Sequence, residues 1–122
     1  MKNGDPFNPI LFKRKIGELK KLRELRLNLN NLEGPIPKEL ANLTNLTCLY
    51  LHINSLSGNI PEELGNLNYI TAISLYGNDL SGCFPSSLMN HCDARFKRFE
   101  NQNLPWGGDF ERFCNGEEQT SC

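Results

Sequence analysis

Two side chains that could act together in catalysis lie close in the sequence, Cys48 and His52. A thiol beside an imidazole base is a pair used in nucleophilic catalysis. The segment around them alternates in the manner of a strand, so four residues separate them by about 13 Å, which is too far for proton transfer. His91 takes the position of Leu67 in the repeat described below, where a cap residue is expected. The sequence therefore predicts no catalytic residue and no enzyme.

Cysteines offer a second kind of chemistry, because Cys83, Cys92, Cys114 and Cys122 cluster towards the end of the chain. An even set of this kind is typical of structural disulfides in secreted proteins. Zinc is the alternative, but the spacings of nine, twenty-two and eight residues lack a CxxC pair, so no metal is predicted. Three pairings are open, and short loops favour Cys83 with Cys92 and Cys114 with Cys122. Cys48 then remains a free thiol.

The elements that position these residues come from an internal repeat of 24 residues without insertions. Three full copies span residues 16–39, 40–63 and 64–87 and share the frame LxxLxxLxxLxLxxNxLxGxIPxx, with Ile or Phe at some Leu positions. A repeat of this length predicts a solenoid, in which each unit buries its apolar face against its neighbours.

Each position of the frame carries a structural expectation. The alternation around Tyr50 predicts a short parallel strand with one buried face. The asparagine is expected to bond the backbone of the neighbouring turn as a ladder, and the glycine to permit a turn. The proline is expected to open a helical or 3₁₀ segment on the other side. These positions are Asn30, Asn54 and Asn78, then Gly34, Gly58 and Gly82, then Pro37, Pro61 and Pro85.

The segment that closes each copy resembles the marker of the plant-type extracellular leucine-rich repeat, LxGxIP. It reads LEGPIP at residues 32–37, LSGNIP at 56–61 and LSGCFP at 80–85. The resemblance covers residues 16–88 and implies an α/β solenoid, a short right-handed stack with a parallel concave sheet and short helical or 3₁₀ convex segments. The family includes receptor-kinase ectodomains, receptor-like proteins, polygalacturonase inhibitors and a plant antifreeze protein. It therefore implies binding of a ligand or a surface.

The ends of the chain are predicted to close this stack as one domain over residues 1–122. Residues 1–15 form an N-terminal cap, with Ile10, Leu11 and Phe12 expected over the open core. Residues 88–122 are predicted to hold a degenerate repeat and a cysteine-rich C-terminal cap of unrecognised type. Two degenerate ends indicate a complete small solenoid.

Inside the degenerate repeat, one period after Asn78 lies Gln102, which is predicted to replace the ladder asparagine. Lys97 falls where an apolar strand residue is expected, so a slip of register is predicted there. Trp106, Phe110 and Phe113 are expected to cover the end of the core, with stacking of Trp106 on a carbohydrate as the alternative.

Outward residues of adjacent strands form a grid on the concave face, and this grid is the predicted ligand-binding site. Tyrosine and arginine, which dominate binding hot spots, are both present in it. Tyr50 and Tyr76 are expected in one column beside Arg26, with Leu29 and Ile53 as an apolar column. The face measures a few hundred Å², below the roughly 800 Å² that each partner buries in a standard interface, which favours weak, small-ligand or multivalent binding. The candidates are Arg26, Asn28, Tyr50, His52, Ser74, Tyr76 and Arg98, with Cys48 also placed in the grid.

Charge and hydropathy exclude other classes of protein. The net charge of −1 predicts no binding to nucleic acid, and the basic residues before position 27 are interpreted as a solvated face. No apolar run reaches the roughly 18 residues of a membrane span, so no membrane insertion is expected. The chain shows no signal peptide, yet its cysteines favour a secreted or extracellular mature form. Asn42 and Asn45 begin N-glycosylation sequons, which support the same location.

The sequence thus predicts a non-enzymatic recognition module without cofactors. It would bind a protein, peptide or glycan through the concave sheet, in defence or cell-surface recognition, with self-association as a further option. The alternatives are an intracellular scaffold and an ice-binding surface protein. Ice binding is disfavoured because the outward grid is irregular.

Overall fold

Each 24-residue repeat contributes one strand to each of two parallel sheets. The computed structural model describes residue 16, residues 18–120 and residue 122. The N-terminal cap predicted for residues 1–15, including Ile10, Leu11 and Phe12, lies outside the described residues. Within them, the strands are β1 (Glu24–Arg26), β2 (Glu33–Pro35), β3 (Cys48–Tyr50), β4 (Ser55–Gly58), β5 (Ala72–Ser74), β6 (Asp79–Leu80) and β7 (Phe96–Arg98).

The main sheet has the parallel order β1-β3-β5-β7. Leu25, Leu49, Ile73 and Lys97 occupy one register and point into the stack. The predicted slip at Lys97 is therefore wrong. The lysine is accommodated because its ammonium donates to the carbonyl oxygen of Cys92 and lies 3.4 Å from the Glu111 carboxylate. The buried chains of successive turns form one apolar core, as stacking of repeats requires.

The side sheet, with the order β2-β4-β6, leads from the main sheet to a series of 3₁₀ segments. These are Lys38–Asn42, Glu62–Asn66 and Ser86–His91. Each is preceded by the repeat proline, whose φ lies between −62° and −66°. The glycines at 34, 58 and 82 have φ of 81°, 78° and 84°, values that side chains disfavour. The predicted roles of the frame glycine and proline are confirmed.

The predicted asparagine ladder is present between turns. In the second repeat, the side-chain oxygen of Asn54 accepts from the backbone N–H groups of Asn30 and Leu32, at 3.1 and 3.2 Å. Its amide donates to the carbonyl oxygens of Leu27 and Leu51, each at 3.0 Å. One side chain thus bonds four backbone groups of two adjacent turns, and its two carbonyl acceptors are shared with Asn30 and Asn78.

The last rung of the ladder is Asn101, so the prediction of Gln102 is wrong. Asn101 is buried and accepts from the N–H groups of Asn78 and Leu80, at 3.2 and 3.1 Å. The separation from Asn78 is 23 residues in place of 24. The difference arises in the turn after β7, where a single residue, Glu100, stands between Phe99 and Asn101. The exposed Gln102 lies outside this turn.

Aromatic rings close the C-terminal end of the core. Phe84, Phe99, Phe110 and Phe113 pack together, with ring centroids 4.2 Å apart for Phe99 and Phe110. Phe110 and Phe113 lie on a short α-helix, Phe110–Cys114. Both are buried, as predicted, whereas Trp106 in the preceding 3₁₀ segment, Pro105–Gly108, is only partly buried.

The disulfides tie this end together by a different pairing from the one that short loops favour. Cys83 pairs with Cys122, across 39 residues, and Cys92 with Cys114, across 22 residues. The pairing of Cys83 with Cys92 is wrong because the 3₁₀ segment Ser86–His91 lies between them. The first bond joins the last full repeat to the end of the chain, and the second joins the residue after the segment Ser86–His91 to the α-helix of the cap. Closing such long loops removes conformational freedom from the unfolded chain, worth about 3–4 kcal/mol in the chain-entropy account.

Candidate functional site

Outward residues of the main sheet form two columns that run across the strands. Arg26, Tyr50, Ser74 and Arg98 share one register. Beyond the strand ends, the backbone N–H of Leu29 donates to the carbonyl oxygen of His52 at 3.1 Å. The backbone N–H of Ile53 donates to the carbonyl oxygen of Tyr76 at 3.0 Å. This continues the register into a second column. That column contains Asn28, His52, Tyr76 and Glu100. Tyr50 and Tyr76 therefore belong to adjacent columns, and the expectation that they share one is wrong.

These columns bring together an aromatic–arginine cluster. The His52 and Tyr76 rings are stacked, 4.8 Å apart at an angle of 7°. The Tyr50 ring makes edge contacts with His52 at 5.2 Å and with Phe96 at 5.8 Å. Guanidinium groups lie over the two tyrosine rings, at 4.9 and 4.0 Å from their centroids. The aromatic–arginine cluster is defined as Arg26, Tyr50, His52, Tyr76, Phe96 and Arg98.

Each arginine of the cluster is held by a carboxylate two residues away. Arg26 lies 2.8 Å from Glu24, and Arg98 lies 2.8 Å from Glu100. Burial alone would raise the pKa of Glu100, but hydrogen bonds from Arg98 and the backbone outweigh burial and lower it. The carboxylates orient the guanidinium planes, and this places them over the rings, where cation–π attraction operates.

Ser74 lies beneath the cluster and is fully buried, so its predicted exposure is wrong. Tyr50 on β3 and Phe96 on β7 meet over the intervening strand, β5, which presents only small side chains there, Ala72 and Ser74. The large rings therefore cover the serine. Its hydroxyl has no hydrogen-bond partner within the described part of the chain. Buried hydroxyls are normally bonded, so this one marks an unsatisfied position under the rings.

His52 contributes a second unsatisfied atom. Its Nδ1 is buried and finds no partner among the described residues. Burial lowers the pKa of the imidazole, and the charge of Arg98 lowers it further. The neutral ring is thus favoured at neutral pH. A neutral imidazole offers one donor and one acceptor nitrogen, and the stacking on Tyr76 fixes its plane.

Cys48 is buried and is not part of the exposed grid, which corrects its predicted position. Burial raises the pKa of the thiol, although the charge of Arg26 acts in the opposite direction. A protonated, buried thiol is a poor nucleophile. Among the described residues, no group of three or more His, Cys, Asp or Glu side chains is arranged to hold a metal ion.

The apolar column beside the cluster has an unusual backbone. Leu29 and Ile53 have φ of 60° and 59°, and Gly77 stands at the same repeat position with φ of 71°. Left-handed backbone costs a residue with a side chain about 1–2 kcal/mol. Leu29 is 68% exposed and Ile53 43% exposed, so little burial compensates for the strain. Strain of this kind is concentrated at functional sites, which favours a binding role for this column.

Replacing Leu29 with glycine is expected to raise the free energy of unfolding by about 0.5–1 kcal/mol, because glycine accepts the left-handed backbone. Leu29→Ala is the matched control: it removes the same exposed side chain but keeps the strain, so its stability should stay near that of the unaltered chain. Denaturant unfolding of both variants measures the difference. Equal stability of the two variants would contradict strain at this position.

The sequons lie on described, exposed residues of the first inter-repeat segment. Asn42 ends the segment Lys38–Asn42, whereas Asn45 donates its side-chain amide to the carbonyl oxygen of Lys20 at 2.9 Å. A glycan on Asn45 would share the nitrogen used in that bond. Asn42 is the less encumbered acceptor, and glycosylation of either residue stays a prediction.

Sequence reasoning missed Phe96 as a member of the cluster. Its position is one repeat period beyond Ala72, with which it pairs in register. A shift of 24 residues locates Arg98 from Ser74, and the same shift from Ala72 locates Phe96. The aromatic neighbours of Phe96, and its role in covering Ser74, depend on a contact across two strands, which periodicity does not reveal.

Comparison with known proteins agrees with this architecture. The family model described as Leucine Rich Repeat matches residues 21–43 and 45–67. Among curated proteins, none matches the chain. The plant peptide hormone receptor RGFR1, solved in complex with RGF2, is similar at 37% identity over 77% of this chain, with a TM-score of 0.70. This chain covers 16% of that receptor.

Two further solved structures are similar. The ectodomain of the receptor kinase GASSHO1/SCHENGEN3 from Arabidopsis thaliana, in complex with CASPARIAN STRIP INTEGRITY FACTOR 2, shares 40% identity over 67% of this chain, with a TM-score of 0.64. A plant ice-binding protein shares 42% identity over 62% of this chain, with a TM-score of 0.61. This chain covers 10% and 24% of those proteins, so it spans a small part of their length.

The repeat frame, the two parallel sheets and these similarities all indicate the same repeat architecture. No helix in the described part of the chain has the length and apolar character needed to cross a membrane. The chain contains leucine-rich repeats, and these repeats are similar to those of plant receptor ectodomains.

Proposed function

We propose that this chain is a non-enzymatic recognition module that binds a protein or peptide on the outward face of its main sheet. The observation that carries the proposal is the pair of unsatisfied buried atoms, Ser74 Oγ and His52 Nδ1, within an exposed aromatic–arginine cluster. Leaving a buried polar atom unpaired costs about 1–3 kcal/mol. A ligand that shifts the rings and bonds these atoms recovers that free energy.

The chemistry of the cluster fits an extended peptide. Backbone N–H and C=O groups of a peptide complement a serine hydroxyl and a neutral imidazole. Tyrosine rings offer large contact areas with few rotatable bonds, and Arg26 and Arg98 add charge-assisted donors. Leu29 and Ile53 provide an apolar strip along the same face for one ligand side chain. Two similar receptors were solved in complex with RGF2 and with CASPARIAN STRIP INTEGRITY FACTOR 2, which supports this ligand class.

A random-peptide display library selected on the full chain provides the probe. Tyr76→Ala should weaken the selected peptides by about thirtyfold, since a hot-spot residue contributes about 2 kcal/mol. Tyr69→Ala is the matched control, because Tyr69 is 62% exposed and lies outside the cluster. Isothermal titration calorimetry measures both variants. Equal affinity of the Tyr76 and Tyr69 variants would place the binding site elsewhere.

The two disulfides and the similarity to receptor ectodomains support an extracellular location for this module. Disulfides persist in oxidising compartments. Mass analysis of native material without reductant should find one free thiol, Cys48. Five free thiols would favour the intracellular scaffold.

Ice binding is a second candidate, favoured by the similarity to a plant ice-binding protein. Among the described residues of the main sheet, the outward columns mix arginine, aromatic and small side chains, in contrast to the regular array that ice lattices match. A thermal-hysteresis assay separates the two functions, and strong activity retained in Tyr76→Ala would favour ice binding over peptide recognition.

A further inference from the structure

A cavity of about 380 Å³ lies between the end of β7 and the C-terminal cap, adjoining the aromatic–arginine cluster. Its volume falls at the lower end of the range for small-ligand sites, about 300–1,000 Å³. Its walls contain an indole, two cations and three carboxylates. These are Trp106, Lys97, Arg98, Glu100, Asp109 and Glu111.

Trp106 is held at this cavity in a strained conformation. Its backbone is left-handed, with φ of 55° and ψ of 28°, and Gly107 follows with φ of 65°. A bulky residue in this region is uncommon, and its strain is tolerated where surrounding structure requires it. The Arg112 guanidinium lies over the indole, 5.0 Å from its centroid. Arg112 is not among the residues that line the cavity, so the indole itself, and not this guanidinium, faces the cavity.

The charged groups of the wall are largely paired with one another. Arg98 lies 2.8 Å from Glu100, and Lys97 lies 3.4 Å from Glu111. Asp109 accepts from the backbone N–H of Glu111 at 3.2 Å. Three carboxylates against two cations disfavour an anionic ligand. The carboxylates keep free oxygen lone pairs, and the Arg98 guanidinium keeps N–H groups. Both suit a neutral ligand that carries several hydroxyl groups.

We propose that this cavity binds a neutral saccharide, a ligand class and a site beyond the peptide recognition proposed for the main sheet. The apolar face of a pyranose ring packs on Trp106, while Glu100 and Glu111 accept hydrogen bonds from its hydroxyls. Arg98 touches both sites, because its guanidinium lies 4.0 Å from the Tyr76 ring centroid and also lines the cavity.

The single tryptophan of the chain makes the test specific to this cavity. Cellohexaose and mannohexaose are the neutral probes, and oligogalacturonate is the acidic one. Titration of the full chain with a neutral probe should change the tryptophan emission in a saturable way. Oligogalacturonate should bind at least tenfold more weakly. No change with either neutral probe, or tighter binding of the acidic one, would overturn the proposal.

Variants assign the site and separate it from the cluster. Trp106→Gly removes the indole, and because glycine accepts the left-handed backbone, the relieved strain offsets part of the packing lost against the core. It should lower saccharide affinity at least tenfold in calorimetry, as should Glu111→Gln, which is exposed. Tyr50→Ala should weaken the selected peptides and leave saccharide binding unchanged. Saccharide binding that survives Trp106→Gly contradicts this site, whereas peptide binding that survives Tyr50→Ala contradicts only the proposed function.

Discussion

Asn101→Ala should lower the free energy of unfolding by about 3–4 kcal/mol, among the largest effects of any single substitution in this chain. The side chain is buried and bonds four backbone groups. Its oxygen accepts from the N–H groups of Asn78 and Leu80, and its amide donates at 3.0 Å to the carbonyl oxygens of Leu75 and Phe99. Alanine removes the side-chain partner of both N–H groups and of the Phe99 carbonyl oxygen in the interior, whereas the Leu75 carbonyl oxygen still accepts from the Asn78 amide at 3.0 Å.

The measurement is denaturant unfolding combined with hydrogen exchange of the backbone amides. Protection should fall at Asn78 and Leu80 before the rest of the chain, because their acceptor is removed. Gln102→Ala is the matched control: Gln102 is exposed, and a surface change of this kind stays within about 0.5 kcal/mol. If Gln102→Ala lowers the free energy of unfolding more than Asn101→Ala does, the ladder position assigned to Asn101 is incorrect.

Gly108→Ala is the second large effect, an expected loss of about 3 kcal/mol or more from backbone overlap together with left-handed strain. A methyl group on Gly108 would lie 2.6 Å from the Glu100 Cα and 2.7 Å from the Asn101 backbone nitrogen, and closer still to the carbonyl oxygen of Phe99. All three are backbone atoms, so no rotamer change relieves the overlap. The φ of +90° adds a conformational cost.

Gly107→Ala is the control for Gly108, because the two residues are adjacent and both left-handed. Gly107 has a φ of +65°, and no described atom lies within 4 Å of an added methyl group. Its replacement should therefore cost only the conformational term, about 1–2 kcal/mol. Thermal unfolding of the two variants separates strain from overlap. Equal losses would mean that the cap yields around Gly108 and does not pack tightly against the turn after β7.

The predictions that succeeded rest on residues that recur within each repeat. The strand alternation, the glycine with positive φ, the proline before each 3₁₀ segment and the ladder asparagine all act within one turn or between adjacent turns. Their geometry repeats with the sequence, so the pattern is sufficient to locate them. The strand residues of the cluster, including Arg26, Tyr50 and Arg98, were found for the same reason.

The predictions that failed depend on distances that no repeat position encodes. The turn after β7 is one residue shorter than the same turn in the full repeats. A step of 24 residues from Asn78 therefore reaches Gln102 and passes over Asn101, which forms the ladder bond. Cys83 is separated from Cys92 by a 3₁₀ segment and reaches Cys122 across 39 residues. The exposure of Ser74 was misjudged because Tyr50 and Phe96 come from strands on either side of it.

The sequence by itself therefore determined a leucine-rich-repeat solenoid, its sheet register through three full turns, and the face on which a ligand-binding site is expected. Short-range periodicity suffices for these features, since each turn packs only on its neighbours. Tertiary structure decided the disulfide pairing, the shortened last turn, the buried serine under the aromatic–arginine cluster and the cavity beside Trp106. These features arise where side chains from separate turns and the cap meet, and their contacts are set by packing in three dimensions.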